Sequence, residues 1–110
     1  MIYEVYATRA ALRDMNEAAD YITYSLRNPQ AAGDLLDHAE ATLERLAYTA
    51  DIYAVEDDPV LAVWGVRRVA VGNYLAFFTV SESERRVYVL RFLYYRRDWT
   101  AILHKGISLE

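Results

Sequence analysis

Cysteine is absent from this chain of 110 residues. Disulfide staples, thiolate nucleophiles and zinc–thiolate sites are excluded with it. Glycine is scarce, at four residues, and no Gly-rich run is present that would cradle a phosphate. There are two histidines, His38 and His104, too far apart for a metal-ligand spacing. No nucleophile elbow and no paired-carboxylate signature occur either. Neither a metal nor any other cofactor is expected, and hydrolysis by two acids is not. No apolar run approaches the roughly 18 residues of a membrane span, so no membrane association is expected. The segment Met1-Ile2-Tyr3-Glu4-Val5-Tyr6 lacks a basic region followed by an apolar one, and reads as a strand rather than a signal peptide. Together with the missing cysteine, this predicts a reducing, cytoplasmic setting.

The length fits one domain over residues 1–110, and an apolar fraction of 55% is enough for one core. The net charge of −4 is unevenly spread. Arg9 to Asp58 carries 11 acids and 4 bases, whereas Pro59 to Glu110 carries 4 acids and 8 bases. Overall acidity argues against tight nonspecific nucleic-acid binding but leaves room for a local basic face.

Ile2–Ala7 reads as a short strand. Thr8 suits a helix N-cap, because its hydroxyl accepts from a first-turn N–H. Leu12, Met15, Ala19, Ile22 and Leu26 then recur at helical spacing over Arg9–Arg27. Asn28 caps a second helix, and Pro29 fits its first position because no donor is needed there. That helix runs to about Tyr48, with Ala32, Leu35, Leu36, Ala39, Leu43 and Leu46 on one stripe. Asp14, Asp34, Asp37 and Glu44 are read as its and its partner's solvated outer face, and His38 likewise. The two helices form an αα-hairpin. Glu56-Asp57-Asp58-Pro59 reads as a loop. Three strands follow at Trp64–Val71, Tyr74–Ser81 and Arg86–Leu93, the first two joined through Gly72-Asn73. Arg96–Lys105 accommodates one or two helical turns, stopped by Gly106. The order β-α-α-β-β-β predicts an α+β fold, with a helical hairpin packed on a small, mostly antiparallel sheet.

Both alternations of Trp64–Val71 are apolar with one arginine each. Neither sheet face therefore reads as purely solvated, and the face away from the helices is expected to be covered by a partner. Arg67, Arg68, Arg91, Arg96 and Arg97 cluster on and after these strands. Guanidinium groups there bind phosphate or carboxylate, or pair with internal acids such as Asp98 or Glu4. Tyr74, Tyr88, Tyr94 and Tyr95 lie among them, either as stacking and proton-transfer groups or as ordinary packing. His104 follows the arginines and is the nearest candidate for a general acid.

Strand order, Gly65-Val66-Arg67, Val71-Gly72-Asn73-Tyr74, Val89-Leu90-Arg91, Arg96-Arg97-Asp98-Trp99 and the helix start Asn28-Pro29-Gln30-Ala31-Ala32 resemble the RelE/ParE toxins of type II toxin–antitoxin systems, from Tyr3 to about Leu103. The resemblance implies an antitoxin partner and one of two mechanisms. RelE-like members cut messenger RNA on the ribosome; ParE-like members poison DNA gyrase. Arg67 falls where the nucleases place a strand lysine, and Arg96 or Arg97 near their later arginine. Tyr74 replaces the arginine after the hairpin turn, and Leu103 stands near the C-terminal tyrosine, with His104 the nearby substitute. Asn73-Tyr74 and Arg96-Arg97-Asp98-Trp99 look more like the ParE branch, although Tyr94-Tyr95 stands where many of its members have His-Gly. The expectation is a gyrase-directed toxin. The alternatives are a ribosome-dependent endoribonuclease, with Arg67, Arg91, Arg96, Arg97 and His104 as candidate catalytic groups, and an inactive member that only binds its partner. The free chain is expected to self-associate or to expose a sizeable apolar patch.

Overall fold

A computed structural model describes residues 2–110; Met1 lies outside the described residues. Strand β1, Glu4–Ala7, leads directly into helix α1, Arg9–Asp20. Thr8 makes the switch abrupt. Its hydroxyl accepts from the Ala11 N–H at 3.2 Å and donates to the Val89 carbonyl at 2.8 Å. One buried side chain thus caps the helix and ties its start to the sheet. A π-helical turn, Tyr21–Ser25, replaces the predicted last turns of the first helix. The wider winding takes Ile22 and Leu26 out of the stripe on which α-helical periodicity had placed them, and Leu26 is left exposed. Asn28 caps helix α2, Pro29–Thr49, through the Ala31 N–H, with Pro29 at the first position as the sequence predicts.

Asp58-Pro59 is a helix start rather than a loop. Asp58 accepts from the Val60 and Leu61 N–H groups and opens helix α3, Pro59–Val63. Strand β2 covers Arg67–Val71, three residues shorter at its start than predicted, because Val66 still donates back to Leu61 and Gly65 holds a φ of +68°. Strands β3, Tyr74–Ser81, and β4, Arg86–Tyr94, follow. Gly72 turns the β2–β3 hairpin with a φ of +57°, a conformation that glycine adopts without steric cost. Helix α4, Trp99–His104, closes the order and stops before Gly106.

The sheet runs β1-β4-β3-β2, with β1 parallel to β4 and the other pairs antiparallel. The register slips between Phe77 and Phe78, which leaves Leu90 of β4 as an extra residue. On one face Val69, Val71, Phe78, Val87 and Phe92 pack against α1 and α2. On the other, Phe77, Leu90 and Leu93 pack beneath Leu61, Trp99 and Leu103. The second face is therefore covered by the chain's own α3 and α4, not by a partner. Short helices with few apolar positions gave the sequence no periodic signal of that cover.

Asp34, Asp37, His38 and Glu44 are exposed, as read from the helical pattern. Asp14 is not: it is only 7% exposed. β1 ends at Ala7, so β4 runs on beyond it with an open edge, and α1 lies along that edge. Asp14 accepts from the Phe92 N–H there at 3.0 Å, satisfying a backbone donor that β1 no longer reaches.

Candidate functional site

The sequence's arginines separate into two sets. Arg67 points to the helix side and donates to the carbonyls of Ala50 and Tyr53 at 3.0 and 3.1 Å. It clamps the chain as it leaves α2. Arg68, on the opposite alternation, lies 5.1 Å from the Trp99 ring and 3.5 Å from Glu56. Burial raises the Glu56 carboxyl pKa, and Arg68 opposes that shift. Arg91 forks onto Asp14, Nε to Oδ2 at 2.6 Å and Nη2 to Oδ1 at 2.9 Å. The hydrogen bond to Asp14 holds its guanidinium above the ordinary arginine pKa. Arg67 and Arg91 are spent on these contacts, whereas the Arg68 side chain stays 47% exposed; the partners of the three are Glu56, Asp14 and main-chain carbonyls rather than Asp98 or Glu4. Glu4 pairs instead with Arg86.

Arg96 and Arg97 form the other set. Both lie exposed in the turn between β4 and α4, and neither has an acid partner among the described residues. Arg96 donates to the Tyr95 hydroxyl at 2.6 Å and stacks its cation 5.3 Å from that ring. Arg97 stands at the mouth of a cleft of about 610 Å³ between the first helix and the ends of β3 and β4. Tyr74 floors the cleft, stacked on Phe92 with ring centroids 5.0 Å apart. Tyr94 meets Tyr74 edge-on at 5.6 Å and 70°. Tyr21 and Ile22 supply the helical wall, with Glu17 above them. Burial, then the neighbouring Tyr94 and Tyr21, push the Tyr74 phenol up from its ordinary value, so it is neutral at physiological pH.

His104 is not part of this site. Its Nε2 lies 2.8 Å from Asp58 Oδ1, which joins the end of α4 to the start of α3 on the opposite face of the sheet. That hydrogen bond is the main reason why the Asp58 carboxyl sits below the usual carboxylate range. Leu103, beside it, is fully buried. Tyr88 is also engaged elsewhere, donating to Glu84 at 3.0 Å. Among the sequence candidates, then, Tyr74, Tyr94, Tyr95, Arg96 and Arg97 come together, while Arg67, Arg91 and His104 are held apart. Glu17 and Tyr21 were missed, because on a helical pattern they read as solvated positions. Of its two acids, Asp14 is taken up by Arg91 and the Phe92 N–H, which leaves Glu17 as the carboxylate without an ion-pair partner among the described residues. Its chemistry is that of a contact surface: aromatic faces, the open acid Glu17, and the Arg97 guanidinium, with Arg96 next to it in the chain.

A family model described as the ParE toxin of the type II toxin–antitoxin system parDE matches residues 5–99. A chain of the chromosomal ParDE system from P. aeruginosa is similar in fold, with a TM-score of 0.69 and 21% identity, over 84% of this chain and 96% of that one. A chain of the RelBE2 toxin–antitoxin complex from Mycobacterium tuberculosis gives a TM-score of 0.57 and 19% identity, over 86% of this chain and 99% of that one. No curated protein matches the sequence significantly.

Proposed function

Because this chain belongs to the ParE toxin family and is the toxin component of a type II toxin–antitoxin system, we propose that it acts in the cytoplasm by gripping a protein target, DNA gyrase, rather than by cutting RNA. One observation carries the choice: the groups that RNA cleavage would need are dispersed. Arg67 and Arg91 are spent on main-chain carbonyls and on Asp14. His104 is bonded to Asp58 on the far face. A general acid or base has to lie within about 3 Å of the proton it moves; the histidine that the sequence offers for that role lies on the far face of the sheet, and Glu17 is the cleft's unpaired carboxylate. Tyrosine rings and free arginines, in contrast, are the residue types that dominate protein–protein affinity.

The second partner is a cognate antitoxin. The support is that both structural neighbours belong to toxin–antitoxin systems. The free chain also exposes Tyr24, Tyr48, Ile52 and Val63, and without a partner it is expected to self-associate. Expression of the chain alone is expected to arrest bacterial growth, and co-expression of the protein encoded by the adjacent reading frame to relieve it. Normal growth at verified soluble levels would remove the toxin activity of this member. Arrest accompanied by cleavage of ribosome-bound message would replace gyrase with messenger RNA.

A further inference from the structure

The tyrosine cleft carries open charges of both signs, on different elements. Glu17 and Tyr21 stand one helical turn apart and line the same wall. Glu17 is exposed and has no ion-pair partner among the described residues. Asp14, the other acid of the cleft, is taken up by Arg91. Arg97 stands at the mouth, also without an acid partner. Glu17 and Arg97 thus do not neutralise each other, and each is open to a group that enters.

The rings between them say which group. Tyr74 lies within 4° of parallel to Phe92, and Tyr94 meets it at 70°, so the ring planes form a corner. Tyr21 adds a third ring, 55% exposed. Aromatic faces are negative and attract a cation within about 6 Å of a ring centroid. Arg96 already makes this contact beside the cleft, 5.3 Å from the Tyr95 centroid. Ring faces next to an unpaired carboxylate favour a cation and disfavour a phosphate. A guanidinium suits them better than an ammonium, because its plane lies on a ring while its fork reaches a carboxylate.

A cleft of about 610 Å³ holds more than one side chain. Ile22 and the exposed Leu26 line it and offer apolar contact. Arg97 repels a bare cation, so an entering cation needs an acidic neighbour to meet Arg97.

We propose that the cleft grips an arginine side chain of the protein target, its guanidinium laid on the tyrosine rings and forked onto Glu17, with an acidic neighbour of that arginine on Arg97. This rests on the reading of the cleft as the grip on a protein target, and names the side chain that is gripped.

The peptide acetyl-Leu-Arg-Asp-amide, titrated to about 20 mM against the free chain, tests this by NMR of the tyrosine rings. Saturable shifts of the Tyr21, Tyr74 and Tyr94 rings are expected. The same peptide with citrulline in place of arginine keeps the shape and loses the charge, and should bind about tenfold more weakly. Glu17→Gln should weaken the arginine peptide by a similar factor, and should lower the affinity of the chain for DNA gyrase about tenfold. Asp37→Asn, an equal loss of charge at an exposed position of α2, should leave both within about threefold. Equal binding of the two peptides, or no ring shift with either, overturns the arginine assignment. Gyrase affinity in Glu17→Gln equal to that of the parent chain overturns it too, with the gyrase reading intact. Arginine-selective binding by a chain that does not bind gyrase supports the specificity of the cleft and overturns gyrase as the source of the arginine.

Discussion

Asp14 and Arg91, 77 positions apart in sequence, meet side-on where β1 stops and α1 lies along the open edge of β4. The same carboxylate takes the Phe92 N–H. This pairing explains how an arginine sits inside an apolar strand, and why a residue that resembles a catalytic cation is part of the frame. Removing one partner of a buried pair leaves the other charge uncompensated.

Asp14→Ala is therefore expected to cost about 3 kcal/mol of unfolding free energy, measured by urea denaturation. Arg97→Ala, at an exposed and unpaired site, should stay within about 0.5 kcal/mol of the parent chain. Equal, small effects at both positions would show that the Asp14–Arg91 contact does not hold the helix to the strand.

Tyr3 ties β1 to two acids. Its buried ring lies 4.3 Å from the Arg85 guanidinium, and its hydroxyl is hydrogen-bonded to Glu82 and to Asp51. Chiefly through Glu82, then burial and Asp51, the phenol is pushed up to about 12 from 10.0. The folded chain thus holds this proton more tightly than the unfolded one. Stability from this group is complete below pH 10 and falls as pH rises toward 12. Tyr3→Phe lacks that linkage, so its stability should fall less steeply over the interval. Parallel pH curves for the two chains would contradict the shift.

Much of the frame was legible because its signals are local. Thr8, Asn28-Pro29 and Gly72-Asn73 each carry their own capping or turn chemistry, and the structure uses all three. Asp58-Pro59 has the same form as Asn28-Pro29 and was open to the same reading. The site was harder. The fate of Asp14 depends on where β1 ends relative to β4, a register that no window of sequence contains. His104 is drawn to Asp58, 46 positions away, because α3 and α4 share a face of the sheet. Tyr21 lines the cleft only because the first helix ends in a wider π turn, where the α-helical period no longer predicts direction.

The two candidate clusters give opposite phenotypes. Arg96→Ala/Arg97→Ala removes the free cations beside the tyrosine cleft and is expected to reduce growth inhibition at least tenfold, with the melting temperature unchanged. His104→Ala breaks the contact between α4 and α3, and is expected to lower stability by about 1 kcal/mol while leaving inhibition per folded molecule intact. Loss of toxicity in His104→Ala at full folding would mark the histidine as a functional group instead.

The most direct measurement places the purified chain with DNA gyrase, ATP and relaxed plasmid. Supercoiling is expected to fall as the chain is titrated in and to recover when Arg96 and Arg97 are both alanine, with ribosome-bound message left uncut in a parallel reaction. Full supercoiling at excess active chain, together with cleavage of the message on the ribosome, would contradict the protein-contact mechanism.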